Sequence, residues 1–176
     1  MLEFILEFEL SILSFLQNFR CDFLDTFFSL ITLLGDKGIL WICLGFILCF
    51  VPKYKSAGVC LLFALLINFV ICNLTLKPLI ARIRPYEYID GIKLLVSTPE
   101  DFSFPSGHSS ASFAASYSVW LKDKKWGSLC LCVAGLIAFS RLYLYVHFPS
   151  DVLFGIVLGI LCSVLGNRLI NKLTLF

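Results

Sequence analysis

Long apolar runs parted by short charged breaks constrain this chain more than any other feature of its sequence. The runs lie at about 21–35, 38–53, 56–77, 107–121, 126–146 and 150–170. Breaks fall at Gly35-Asp36-Lys37, Pro52-Lys53-Tyr54-Lys55 and Lys122-Asp123-Lys124-Lys125. Hydrocarbon offers no partner for a free backbone N–H or C=O, so runs of this kind enter lipid as helices. The expected fold class is all-α, a polytopic membrane bundle of about six transmembrane helices. Composition agrees, with 59% hydrophobic residues, 15% charged and a mean hydropathy of +0.92, outside the range of ordinary soluble domains. The first two runs are short for a hydrocarbon core of about 30 Å. One domain, residues 21–176, uses nearly all of the chain.

The first twenty residues read differently. Over 2–19 a helical wheel puts Ile5, Phe8, Ile12, Phe15 and Leu16 on one face and Glu3, Glu7, Ser11, Ser14 and Asn18 on another. That pattern predicts an amphipathic interfacial helix over residues 1–20, or an extension of the first span. With Glu3, Glu7 and Glu9 where a signal peptide carries basic residues, no cleavable leader is expected. The eight cysteines lie mostly inside apolar runs and read as small core residues rather than a disulfide framework. A net charge of +2 with scattered Lys and Arg gives no reason to expect nucleic acid. The positive-inside rule puts Arg20, Lys53, Lys55, Lys122, Lys124, Lys125, Arg168 and Lys172 in the cytoplasm. Both termini are then cytoplasmic, and the 78–106 connection and the 147–149 turn face outward.

That outward face collects polar residues costly at membrane depth, Lys77, Arg84, Ser106, His108, Arg141, His147 and Asp151, with Gly107 beside them for close backbone approach. Two histidines and an aspartate could ligate zinc, but Lys77, Arg84 and Arg141 would repel a dication and attract a polyanion. No metal and no cofactor is expected. Arginine offers planar bidentate donors to phosphate oxygens, lysine a compact charge, and Ser106-Gly107 at a helix start adds backbone N–H groups. His147 and Asp151, four apart, can pair so that the carboxylate holds one ring nitrogen and leaves the other as a nucleophile. His108 can then serve as general acid and base.

Lys77-Pro-Leu-Ile-Ala-Arg-Ile-Arg84-Pro85, Pro105-Ser-Gly-His108 and Ser140-Arg141-Leu-Tyr-Leu-Tyr-Val-His147-Phe-Pro-Ser-Asp151 resemble the three signature motifs of the type 2 phosphatidic acid phosphatase (PAP2) superfamily. They are complete and in order, and the resemblance covers about 21–170. It implies His147 as the phosphate-accepting nucleophile, Asp151 as its support and His108 as the proton donor to the leaving group. Lys77, Arg84, Ser106, Gly107 and Arg141 would bind the phosphate. Arg82 is a further cation with two readings, phosphate contact or a headgroup-facing or loop-pairing charge. The small size and the Tyr86-Glu-Tyr-Ile-Asp-Gly91 stretch are similar to bacterial plasma-membrane members acting on undecaprenyl pyrophosphate, phosphatidylglycerophosphate or phosphatidic acid.

The expected partners are a lipid phosphate substrate and membrane lipids, with the chain a monomer or weak homodimer. A phosphotransferase using the same site, and a non-enzymatic lipid-phosphate binder or transporter, are the rival functions. The His147–Asp151 pair weighs against the binder. Loop 86–104, with Glu87, Asp90, Glu100 and Asp101, has the length of a functional loop, although its acids read most simply as solvated surface. Gly155 and Gly159 predict close packing of the last helix, inside the bundle or at a dimer contact.

Overall fold

The computed structural model describes residues 2–89 and 91–173; Asp90 of the long loop lies outside them. Its helices are α1 (Leu2–Gln17), α2 (Asp22–Leu33), α3 (Ile39–Phe50), α4 (Lys55–Asn68), α5 (Lys77–Ile80), α6 (Gly107–Lys122), α7 (Lys124–Tyr143) and α8 (Pro149–Leu173). Among the described residues there is no strand. A π-helical stretch, Phe69–Leu76, joins α4 to α5, and Ala81 in the left-handed region (φ 47°) ends that run and releases the chain towards Arg84.

Helix α6 is the centre of the bundle and packs on α4, α7 and α8. Its sequence suits that place, because Ser109, Ser110, Ser112, Ala114, Ala115, Ser116 and Ser118 are small enough to let neighbours approach. Their hydroxyls are satisfied locally or across helices: Ser116 Oγ donates to Ser112 O (2.7 Å), Ser118 Oγ to Ala114 O (2.8 Å), and Trp41 Nε1 on α3 donates to Ser112 Oγ (2.9 Å). Gly155 and Gly159 let α8 lie against α6, where added Cβ atoms would stand 2.8 Å from Ser106 O and 2.3 Å from Ser110 O. The predicted close contact of these glycines is therefore internal to the bundle. The outer surface is apolar, with Phe23, Phe50, Leu79 and Leu153 largely exposed, as helices solvated by lipid require.

Among the described residues, three helical runs are long and apolar enough to cross a membrane. A fourth qualifies if α2 and α3 count as one broken span. The runs expected as separate spans at 21–35 and 38–53 are thus a single pair bent by 40°, interrupted where Lys37 and Gly38 adopt positive φ. Helix α6 is 16 residues long and serine-rich, and is surrounded by protein.

The bundle has a site end and a far end. At the far end Tyr54 donates to Asp123 (3.0 Å), and Asp123 caps α7 through the N–H groups of Lys125 and Trp126. At the site end lie the 81–106 loop, the 144–148 turn, the start of α6 and, contrary to expectation, α1. Leu6, Leu10 and Leu13 of α1 pack on Tyr145, Phe148, Ile89 and Ile92, and Gln17 Nε2 donates to Tyr143 O (3.0 Å). The N-terminal helix therefore shares the site's end of the bundle. The helical wheel also picked a stripe that stays exposed, since Phe4, Ile5, Phe8 and Phe15 face outward while Leu6, Glu9, Leu10 and Leu13 face the protein.

Candidate active site

Lys77 enters the site from the first turn of α5, and Arg84 from the extended residue that follows the left-handed Ala81. Both are buried, and both meet Asp101 of the long loop. The Asp101 carboxylate pairs with Lys77 Nζ and accepts from Arg84 Nη2 at 2.5 Å. Arg84 is held further by main-chain acceptors: Nε donates to Asp101 O (2.8 Å) and Nη1 to Val146 O (2.6 Å). Burial pushes the Asp101 carboxyl up, but Lys77 and then Arg84 outweigh it and hold the group at about 2. The loop acid read as solvated surface is thus part of the cation cluster.

Ser106 is the N-cap of α6, its Oγ accepting from Ser109 N (3.4 Å) and touching Ser109 Oγ (2.8 Å). Its N–H donates to Asp151 O at 3.1 Å, so this residue ties the start of α6 to the start of α8. Gly107 lines the cavity, and the positive end of the α6 dipole lies there with it. His108, one residue on, has Nε2 2.8 Å from Asp36 Oδ1 in the break between α2 and α3. The chain at Gly35 presses on the ring so closely that a Cβ there would lie 2.6 Å from His108 Cδ2.

Arg141, in the last turn of α7, is buried and pairs with Thr32 Oγ1 on α2, while its Nε has no hydrogen-bond partner. His147 lies in the turn between α7 and α8. Its Nε2 is 3.2 Å from Arg84 Nη1, and its Nδ1 is 3.6 Å from Asp151 Oδ2. That second distance exceeds hydrogen-bond range but keeps the carboxylate close enough to favour the Nδ1–H tautomer. Burial pushes the imidazole well below the ordinary histidine range, and Arg84 and Arg141 push it further in the same direction. Asp151 is fully buried and heavily bonded: Oδ2 accepts from Ser103 Oγ (2.5 Å) and Phe148 N (2.9 Å), and Oδ1 from Arg82 Nη1 (2.6 Å).

Lys77, Arg84, Gly107, His108, Arg141 and His147 line one cavity of about 400 Å³, with Asp36, Asp101 and Thr32 in the same wall. Ser106 and Asp151 stand behind that lining, one as a cap and one behind His147. Arg82 is a pairing charge absent from the cavity wall, but its partners are Ser150 and Asp151 of α8 and Glu9 of α1 rather than the loop or a lipid headgroup. Asp36, Thr32, Ser103 and Glu9 carried no signal in the sequence beyond their polarity. A second, mostly apolar groove of about 670 Å³ runs from Lys77, Gly107 and His108 past Ile42, Leu62, Leu65, Leu66 and Phe69.

Three cations and two histidines thus share one cavity wall. Residues 57–175 match the model of the PAP2 superfamily. The chain belongs to that superfamily. It is 31% identical over 131 residues to a protein of Sulfolobus acidocaldarius named undecaprenyl-diphosphatase, covering 74% of this chain and 63% of that one. The chain so spans less than two thirds of that relative's length. A Bacteroides thetaiotaomicron lipid A 4'-phosphatase is 30% identical over 197 residues, 99% of this chain and 82% of the relative. The crystal structure of a transmembrane PAP2-type phosphatidylglycerolphosphate phosphatase from Bacillus subtilis superposes with a TM-score of 0.78 at 27% identity, covering 96% of this chain and 87% of that one. The chain is thus similar to the first two in sequence and to the last in sequence and fold.

Proposed function

We propose that this protein is an integral membrane phosphatase that hydrolyses a lipid phosphate or diphosphate through a phosphohistidine intermediate. The observation that carries this reading is the shared cavity, with His147 and His108 in its wall beside Lys77, Arg84 and Arg141. A phosphate held by the three cations has its negative charge neutralised, which is the main demand of phosphoryl transfer. His147 Nε2, on a ring kept neutral by its buried position, attacks phosphorus. The bond from phosphorus to the lipid oxygen breaks, and His108 protonates that oxygen as it leaves. Water then attacks the phosphohistidine, gives its proton to His108 and returns His147 to its starting form with release of inorganic phosphate.

Support for a lipid substrate comes from the apolar groove that joins the phosphate cavity at Lys77 and His108. The names of the relatives point to undecaprenyl diphosphate, a lipid A phosphate or phosphatidylglycerophosphate as the substrates to assay first, with phosphatidic acid as a fourth. The reading places the chain in a bacterial plasma membrane as a self-contained monomer, with the site and α1 on the outer side. Loop 122–125 and the end of α8 then lie in the cytoplasm, where Lys122, Lys124, Lys125, Arg168 and Lys172 satisfy the positive-inside rule. The test is phosphate release by detergent-purified protein from these four lipids in the presence of EDTA. His147→Ala should abolish release while the folded protein persists, and robust release by that variant would overturn the nucleophile.

A further inference from the structure

We infer that Glu9 of α1 is a positioning residue of the catalytic unit, holding Arg82 so that this arginine keeps Asp151 behind His147. The inference rests on the phosphatase reading and adds to it a residue that lies outside the stretch matched by the superfamily, residues 57–175.

Glu9 differs from the other acids of its helix. Glu3 and Glu7 are exposed, whereas Glu9 is buried in the stripe of Leu6, Leu10 and Leu13 that packs on the protein. A carboxylate in such a stripe is costly unless every oxygen is paired. Both are: Oε2 accepts from Arg82 Nη2 at 2.6 Å and Oε1 from the Ser150 N–H at 2.8 Å. Ser150 immediately precedes Asp151, so one oxygen of Glu9 grips the main chain that carries the aspartate and the other grips its guanidinium partner.

Arg82 spans the gap. Its Nη1 donates to Asp151 Oδ1 (2.6 Å) and to Ser150 Oγ (2.7 Å), and its guanidinium lies over the Phe148 ring at 3.9 Å from the centroid. The planar fork therefore has one edge on each carboxylate, a geometry an ammonium cannot reproduce. The charge count follows the same line. Asp151 favours the Nδ1–H tautomer of His147 through its negative charge, and a guanidinium bonded to it alone would cancel much of that effect. Glu9 on the opposite edge leaves the Glu9–Arg82–Asp151 group with one net negative charge, the same as an unpaired aspartate, while retaining the rigidity of the arginine bridge. Glu9 does not line the cavity, so it acts on the reaction through Arg82 and Asp151 rather than on substrate.

The test uses the full chain in detergent and the variant Glu9→Gln, which retains shape and an acceptor for Ser150 N–H. The expected result is a fall in kcat of about tenfold or more with KM for the lipid phosphate unchanged, as outer partners of an active group typically give. Combined with Arg82→Gln, Glu9→Gln should add nothing to the loss caused by Arg82→Gln alone. Unchanged kcat, or losses that multiply, would overturn the inference. If Glu9→Gln does not fold, Arg82→Lys carries the test, with the same kcat loss expected and full activity overturning it. A second readout does not depend on turnover. The chain has only two histidines, so ¹⁵N signals of the imidazoles can be assigned with His108→Gln. Glu9→Gln should shift the His147 pair and leave His108 in place, and an unmoved His147 pair would sink the inference even if no lipid phosphate proved to be a substrate. Failure of the phosphatase reading is seen separately, in the wild-type chain.

Discussion

Replacing Asp101 with asparagine should tighten the binding of inorganic phosphate. The Asp101 carboxylate sits on Lys77 and on Arg84 Nη2 (2.5 Å), two of the three cations that a phosphate has to use. Its carboxyl is held at about 2 against an ordinary 3.8. At about 1.4 kcal/mol per unit, that depression corresponds to at most ~2.5 kcal/mol of favourable interaction in the ionised form. The side chain is 55% exposed, so solvent screening reduces the figure to about 1 kcal/mol. A phosphate that takes the cations has to give this interaction up. Asp101→Asn retains the main-chain carbonyl that accepts from Arg84 Nε and removes the competing charge. The competitive inhibition constant for inorganic phosphate at pH 7 should therefore fall about fivefold, the equivalent of about 1 kcal/mol. The same variant should lose about 1 kcal/mol of stability at pH 7. A depressed carboxyl contributes fully above its unfolded value of 3.8, and the contribution disappears as pH falls through about 2. Initial-rate measurements with added phosphate, beside a detergent melt of each protein, give both numbers. Weaker or unchanged phosphate inhibition would refute the competition and make Asp101 part of the phosphate cradle instead.

Gly159→Ala should destabilise the protein by roughly 1–3 kcal/mol through overpacking against Ser110 O. Gly135→Ala, where an added Cβ meets nothing within 4 Å, should be neutral or slightly stabilising in the same melt. Because burial first, and Arg84 next, push His147 below 6.5, the acid limb of the kcat/KM profile should lie below pH 6.5. An unfolded chain takes up the proton below 6.5 while the native ring does not. Wild type should then lose stability as pH falls from 6.5, and His147→Gln should lose less of it; equal losses would argue against a buried neutral ring. Single reporter cysteines in loop 86–104 and loop 122–125, on a background with the native cysteines replaced, should be labelled in intact cells only in the former. Labelling of the latter alone would reverse the orientation.

Local sequence was enough for the class of fold and for the chemistry of the lining. Apolar runs leave the backbone no choice but helix in lipid. Lys77, Arg84, Arg141, His108 and His147 announce a polyanion site because such groups are too costly at membrane depth to be there without a task. Their partners were not legible. Asp101, Asp36 and Glu9 look like ordinary solvated acids, and what distinguishes them is proximity to Arg84, His108 and Ser150 across separations of 17, 72 and 141 residues. Helical periodicity on α1 named the apolar stripe that stays exposed, as an interfacial helix requires, and left the stripe that packs on the protein unread, because lipid and protein interior are both apolar solvents. A stripe of Phe4, Ile5 and Phe8 and a stripe of Leu6, Leu10 and Leu13 satisfy the same rule.

The sequence by itself therefore determined a helical membrane protein with cations and histidines gathered at one end, since these depend on transfer energies and on charge, which each residue carries with it. Only the tertiary structure decided that α2 and α3 form one bent pair, that Asp101 rests on the cations and that α1 reaches Asp151 through Arg82. Those depend on which groups come within about 3 Å of each other, and only the packing of the helices and the loop on one another sets that distance.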